Sequence, residues 1–436
     1  MSHLNIQNHI FQKRAEETVV SHDLCNITKS MLITSDYKDI PTDLHKNIRV
    51  DLAENNKTVF GEILTAQHTP VVQELFTYTI NDRIWDTTLT GSGSAESVNG
   101  LLVLSTGTTA GSSVTVRSKK RVRYMAGMGS ITRYTSLFSP IGVDGNLTAY
   151  SGFFDDENGL AFGYQQSVFG ILRRSKASGF IVDEFIPQAN WSEDRCDGTQ
   201  IMPLLDQTKG NIYQIAHQFL GFGVISCSIA RPDGDFFIVH KFRYANGNTE
   251  PIMANPNLPF TYFISNGASS ADLTLSSASC GIFIQGKSNV VGYLNTFESD
   301  HTVTTTEKCV MAIRNRSLFH GITNALEVYP QRISITSIGG TKPVLIKLIS
   351  EGSITNPSWT NINTNNSIVE YDDTDDIITI PGTTLFSSFV NKDSEITIDL
   401  RKLGIFLSAG RSLLISASTS QGTNEIFASF VWLENL

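Results

Sequence analysis

The stretch Leu205–Phe260 sets three strand patterns in succession with the turns between them legible, which commits this part of the chain to antiparallel sheet. From Asn211 to Phe219, the residues Tyr213, Ile215, His217 and Phe219 fall on one side of a period-2 strand, opposite Gln214, Ala216 and Gln218. Gly221 and Gly223 break the alternation, as glycines do at a bend or bulge. Val224 to Ala230 resumes it, with Ile225, Cys227 and Ile229 on one face. Pro232, Asp233 and Gly234 then supply the preset φ, the side-chain cap and the permissive φ of a tight turn. The chain returns as Phe236 to Tyr244, where Phe236, Ile238, His240, Phe242 and Tyr244 line one face and Lys241 and Arg243 point away. A meander of half-buried strands follows from this pattern.

The same grammar extends in both directions. Alternation over Glu74 to Ile80 puts Phe76, Tyr78 and Ile80 together, Gly91 to Gly100 reads as a loop, and Leu101 to Leu104, Ser113 to Arg117 and Ile131 to Phe138 read as strands. Tyr150 to Tyr164 is a hairpin with Asp155, Asp156, Glu157, Asn158 and Gly159 as a solvated turn, and Val168 to Arg173 continues the sheet. Thr261 to Asn266, Asp272 to Leu275 and Cys280 to Ile284 complete a first set. With 40% hydrophobic and only 17% charged residues, and no amphipathic helices between strands, a parallel α/β fold is disfavoured. The expected class is all-β: a lectin-like or jelly-roll β-sandwich over residues 66–292. A polar spacer, TFESDHTVTTTEK within Val291 to His320, marks the boundary, and seven further strands in 293–436 make a second, smaller β-sandwich. Residues 1–65 are less patterned. Ile6, Ile10, Phe11, Ala15 and Val19 recur at helical spacing, which suits a docking arm or a short helix covering a sheet edge.

A net charge of −9 argues against nucleic acid as a partner, since phosphate binding needs clustered Lys and Arg. The one basic cluster is Arg117, Lys119, Lys120, Arg121 and Arg123, and its alternation with Ser118 and Val122 favours a charged strand edge that discourages aggregation over an anion-binding patch. Five widely spaced cysteines show no C-x-x-C pair, and Cys227 on an apolar face reads as a reduced, buried thiol, consistent with assembly in a reducing cytoplasm. The N-terminus lacks the apolar core of a signal peptide, and no run of 18 apolar residues suggests a membrane span.

Chemistry is sparse. There is no nucleophile elbow, zinc-protease helix, phosphate-binding lysine loop or dinucleotide fingerprint, so the expectation is a protein that is not an enzyme and carries no cofactor or metal. Glu395 and Asp399 share a strand face at the spacing of a glycosidase pair, but lack a third acid and read more simply as solvent-facing. His217 and His240 lie on aromatic faces without a third ligand and read as core residues. The acidic turn of Asp372, Asp373, Asp375 and Asp376 lacks calcium-loop spacing and reads as a solvated tip. The loop NWSEDRCDG offers the residue types that hold sugars or a cation: Trp191 beside Glu193, Asp194 and Asp197. Trp191 plugging the end of a sandwich is the favoured reading over ligand contact.

The ordered segments RSKKRVRYMAGMGSITRYTSLF, GFFDDENGLAFGY, FGILRR, NWSEDRCDGT, LDQTKGNIYQI, FLGFGVISCSI, FIVHKFRYAN, NPNLPF and FVWLENL resemble a group of proteins encoded by tailed bacteriophages and large DNA viruses. The resemblance runs from about His68 to Leu436 and leaves out the first 65 residues. It implies a virion structural protein, in a minor capsid, spike or tail-associated role, assembled in the host cytoplasm through contacts with other virion proteins and copies of itself. It transfers no catalytic residues. The alternative from another class is a carbohydrate-binding receptor-recognition module on the virion surface, contacting host glycan.

Overall fold

Residues alternating at period two become strands whose apolar faces meet in pairs, and the computed structural model describes them over residues 66–139, 146–287, 292–374 and 376–434. The arm expected over residues 1–65, and with it Cys25, lies outside the described residues.

The first sandwich packs a seven-stranded sheet on a nine-stranded one. The seven-stranded sheet runs, in spatial order, Val182–Pro187, Val168–Ser175, Gly159–Gln165, Thr148–Phe154, Pro259–Ser265, Ser113–Arg121 and Trp85–Thr90, every pair antiparallel. In the other sheet the meander Phe236–Phe242, Ile225–Ala230, Asn211–His217 joins the long strand Gly129–Ser139. That strand then branches, to Thr274–Ser277 at one end and Ser279–Gln285 at the other. Between the sheets Trp85, Phe153, Phe162, Phe260, Tyr134, Tyr213 and Tyr262 form one aromatic core. The second sandwich packs a four-stranded sheet (Tyr293–Val303, Asn424–Glu434, Val328–Ile338, Ser394–Asp399) on an eight-stranded one, around its own core of Met311, Ile333, Leu348, Ile415, Phe430 and Trp432. Among the described residues the first core includes nothing beyond Ile284 and the second nothing before Val303. The all-β reading, a jelly-roll sandwich followed by a smaller one, therefore describes these residues.

Four local expectations are corrected. The polar stretch after residue 292 is no spacer: Tyr293–Val303 is an edge strand paired along its whole length with Asn424–Glu434, and Lys308–Asn315 is a core strand of the larger sheet. Pairing by the backbone does not need apolar side chains, which is why the pattern hid it. The loop expected over Gly91 to Gly100 contains the strand Ser94–Val98, folded onto Leu101–Ser105 by Asn99 and Gly100, both at positive φ (52° and 79°) as a two-residue hairpin turn requires. Alternation over Glu74 to Ile80 ends early: the strand stops at Leu75, Phe76 is buried, and Tyr78 stands 94% exposed.

The fourth correction concerns the face of Phe236–Phe242. Its register slips against Cys227 and Ser228, leaving Val239 as the extra residue. Ahead of the bulge Phe237 and Val239 turn inward while Phe236 lies outside under the Arg133 guanidinium, 5.2 Å from its ring. Beyond it the even-numbered Phe242 enters the core.

Titratable side chains are also carried inside. Cys196, Cys227, Cys280 and Cys309 are buried, and burial raises the Cys227 thiol well above the ordinary thiol range. His217 is buried with the Ser130 hydroxyl 3.0 Å from its Nδ1, and desolvation lowers its pKa to about 4. An unfolded chain protonates this imidazole near pH 6.5, so the unfolded state binds the extra proton between pH 6.5 and 4 and stability falls as the pH drops through that window. The expected loss approaches about 3 kcal/mol. Thermal melts at pH 7 and pH 4.5 check this, with His217→Gln expected to flatten the difference.

Candidate functional site

The NWSEDRCDG loop is spent on its own architecture. Trp191 is 5% exposed and packs edge-on against Phe162 and Phe169, with ring centroids 5.9 and 6.0 Å away. Asp194 is buried and accepts backbone N–H groups from Cys196, Ile201 and Met202 at 2.8, 2.9 and 3.0 Å. Glu193 takes the Arg243 guanidinium at 2.5 Å, which holds its carboxyl below the usual range. Asp197 caps its own turn through the Thr199 hydroxyl and amide, which lower its pKa in the same way. The structure thus brings the four residues into one loop and uses Trp191 to close the end of the first core.

Other sequence candidates also become structural. Ser192 donates its amide to His240 Nδ1 at 3.1 Å. Asp399 pairs with Arg401, which lowers its pKa to about 2, and Glu395 sits on the same edge strand. The turn after Phe154 is not simply solvated: Asp155 is buried, caps the amides of Glu157 and Asn158, and takes Arg121 at 2.7 Å. Asp372 is likewise buried and caps Thr374 at 3.1 Å, while Asp375 lies outside the described residues. Nor is the basic cluster an edge, because Ser113–Arg121 is flanked by strands on both sides. Three of its cations are ion-paired: Arg117 with Asp156 at 2.7 Å, Arg121 with Asp155, and Lys119 across the junction with the second sandwich with Glu351 at 2.9 Å.

That junction holds a cleft of about 950 Å³. The first sandwich contributes the turn from Tyr78 to Asp86, with Glu96 and Lys119; the second contributes Glu351, Leu385 and the segment Leu403–Arg411. At its centre four side chains alternate in sign around a closed ring. Lys119 lies 3.7 Å from Asp86 and 2.9 Å from Glu351, and Arg411 lies against Asp86 and 3.4 Å from Glu351. Glu351 is delivered to the ring from a left-handed backbone (φ 59°), a conformation held at a cost of about 1–3 kcal/mol. Trp85 also lines the cleft; its ring is packed in the first core against Phe76 and Phe260, and its buried indole N–H has no acceptor among the described residues. An unmet buried donor of this kind costs about 1–3 kcal/mol.

The chemistry of this lining is selective. Asp82, Asp86, Glu96 and Glu351 stand against Arg83, Lys119 and Arg411, four carboxylates to three cations, a net −1 that offers nothing to a phosphate chain. Fixed carboxylates and a guanidinium side by side instead present paired acceptors and donors, the complement of vicinal hydroxyls, with the exposed Tyr78 ring at the rim as a stacking surface. Residue spacing could not have revealed this site, since Asp86 and Arg411 meet only through the junction. The single available sign was an aromatic, Tyr78, followed by Asp82 and Arg83 in a turn.

No family model matches the sequence, and no curated protein matches it. Solved structures with a similar arrangement include the metal-free form of lectin I-B4 from Griffonia simplicifolia, 12% identical over 49% of this chain and 99% of that one, with a TM-score of 0.28. Lectin II from Ulex europaeus is 11% identical over 50% of this chain and 100% of its own, with a TM-score of 0.31. An endo-1,3-beta-glucanase from Streptomyces sioyaensis is 9% identical over 50% of this chain and 97% of its own, with a TM-score of 0.34.

Proposed function

We propose that this protein is a carbohydrate-recognition component of a virus particle, binding a neutral oligosaccharide in the cleft between its two sandwiches. The observation that carries the reading is the charge-compensated ring of Asp86, Lys119, Glu351 and Arg411 beside the exposed Tyr78. Binding is the reading taken because Asp86 and Glu351, the carboxylates of the ring, already serve as acceptors for Lys119 and Arg411. A purely structural role through protein contacts is the second reading, supported by the ordered motifs that resemble virion proteins.

A glycan array followed by titration calorimetry tests the first. Wild-type protein is expected to select neutral oligosaccharides. Tyr78→Ala is expected to weaken binding tenfold or more, about 1.4 kcal/mol, with no change in thermal stability because the ring is exposed. Arg411→Met should abolish binding by opening the ring. Absence of any glycan binding by the wild type, together with fixed stoichiometry in purified particles by mass spectrometry, would replace this reading with the structural one. Shortening of a bound oligosaccharide would point to an enzyme instead.

A further inference from the structure

The two sandwiches have separate cores, so a polar joint sets their relative position, and such joints permit motion. Across that joint reaches a carboxylate that belongs to neither the ring nor either core. Glu327 is 5% exposed; its Oε1 accepts the backbone N–H of Arg121, in the first sandwich, at 3.0 Å, and its Oε2 accepts the phenol of Tyr329 beside it. The charged groups around it are Lys120, Arg121 and Arg123 from the first sandwich, with Asp155 one guanidinium further on. Next in the chain, Val328 exchanges backbone hydrogen bonds with Leu407 at 3.0 and 2.8 Å, and Leu407 and Phe406 are wall residues of the cleft. Lys120 lies 5.8 Å from the Phe406 ring. The joint and the cleft wall are one piece of structure.

We propose that Glu327 is a proton-operated latch: uptake of one proton by its carboxyl favours the closed joint, so acidification holds the cleft wall in place. Closing the joint strips water from the carboxylate, and the Arg121 amide and Tyr329 phenol replace only part of that hydration. Once protonated, the group keeps both contacts, Oε1 still accepting from the Arg121 amide and the new O–H donating to the Tyr329 oxygen. Burial pushes the Glu327 carboxyl up from its ordinary value of 4.5. The closed form therefore binds the proton more tightly than an open, hydrated form, and closure gains as the pH falls through the raised pKa toward 4.5. The direction is opposite to that of His217, whose burial costs stability in acid.

Hydrogen exchange of the full chain, without ligand and corrected for intrinsic rate, reads the latch directly. From pH 8 to pH 5 the protection of the segment Lys119 to Arg123 is expected to rise, by at most about tenfold per pH unit, the limit for one linked proton. Glu327→Gln should hold the acid level of protection at every pH. Protection in the wild type that does not change with pH would overturn the latch without recourse to any variant, and so would a Glu327→Gln chain that keeps the wild-type pH dependence. Tighter oligosaccharide binding at pH 5 than at pH 8 is a further consequence, which rests on the cleft being the glycan site. If exchange shows the latch while no glycan binds at either pH, the latch stands and the glycan reading falls.

Discussion

Trp191→Ala is expected to lower the unfolding free energy by about 3–5 kcal/mol, the range for emptying a large aromatic from a core. The indole fills the end of the first sandwich against Phe162 and Phe169, and its removal leaves a cavity that the loop cannot collapse into, because Asp194 pins that loop through three backbone amides. Denaturant unfolding checks the magnitude. Oligosaccharide affinity per folded molecule should be unchanged, since the residues of the cleft lie elsewhere; a selective loss of binding in a stably folded variant would return this loop to the role its composition suggested.

Glu434→Ala is expected to destabilise the second sandwich, by about 1–3 kcal/mol for each buried donor left without an acceptor. Glu434 is fully buried, and its two oxygens accept four hydrogen bonds: Asn295 Nδ2 at 2.8 Å, Ser367 Oγ at 2.7 Å, the Ile368 amide at 2.7 Å and the Trp432 indole at 2.8 Å. One carboxylate thereby joins the edge strand, the final strand and the segment before Val369. Truncation leaves four donors buried without an acceptor, which is costlier than losing the bonds themselves. Unfolding followed by hydrogen exchange should show the strands around Trp432 losing protection while those around Trp85 keep theirs; equal loss in both sandwiches would mean that the two unfold as one cooperative unit.

The parts legible in the sequence were those in which one strand's own residues carry the signal. Tyr213, Ile215 and His217 alternate and are buried, and Pro232, Asp233 and Gly234 turn the chain where expected, with Gly234 donating to Arg231 at 2.9 Å. Tyr293–Val303 was illegible because its strand character comes from the backbone of its partner Asn424–Glu434. Phe236–Phe242 was half legible: a single extra residue, Val239, reverses the face, and nothing in a period-2 pattern announces where a bulge sits. At Trp191 the favoured reading of an aromatic closing the end of a sandwich matches its burial against Phe162 and Phe169, and the three acids beside it make local hydrogen bonds.

By itself the sequence determined the class of fold, because hydrophobic burial at period two and turn chemistry are local and each strand declares its own inward face. Only the tertiary structure decided the site. Asp86, Lys119, Glu351 and Arg411 come from four separated stretches, and Glu327 meets the Arg121 amide across 206 residues of chain. Side-chain charges act through space over a few ångströms, so which of them meet is set by how the two separate cores are joined, and no local pattern encodes that joint.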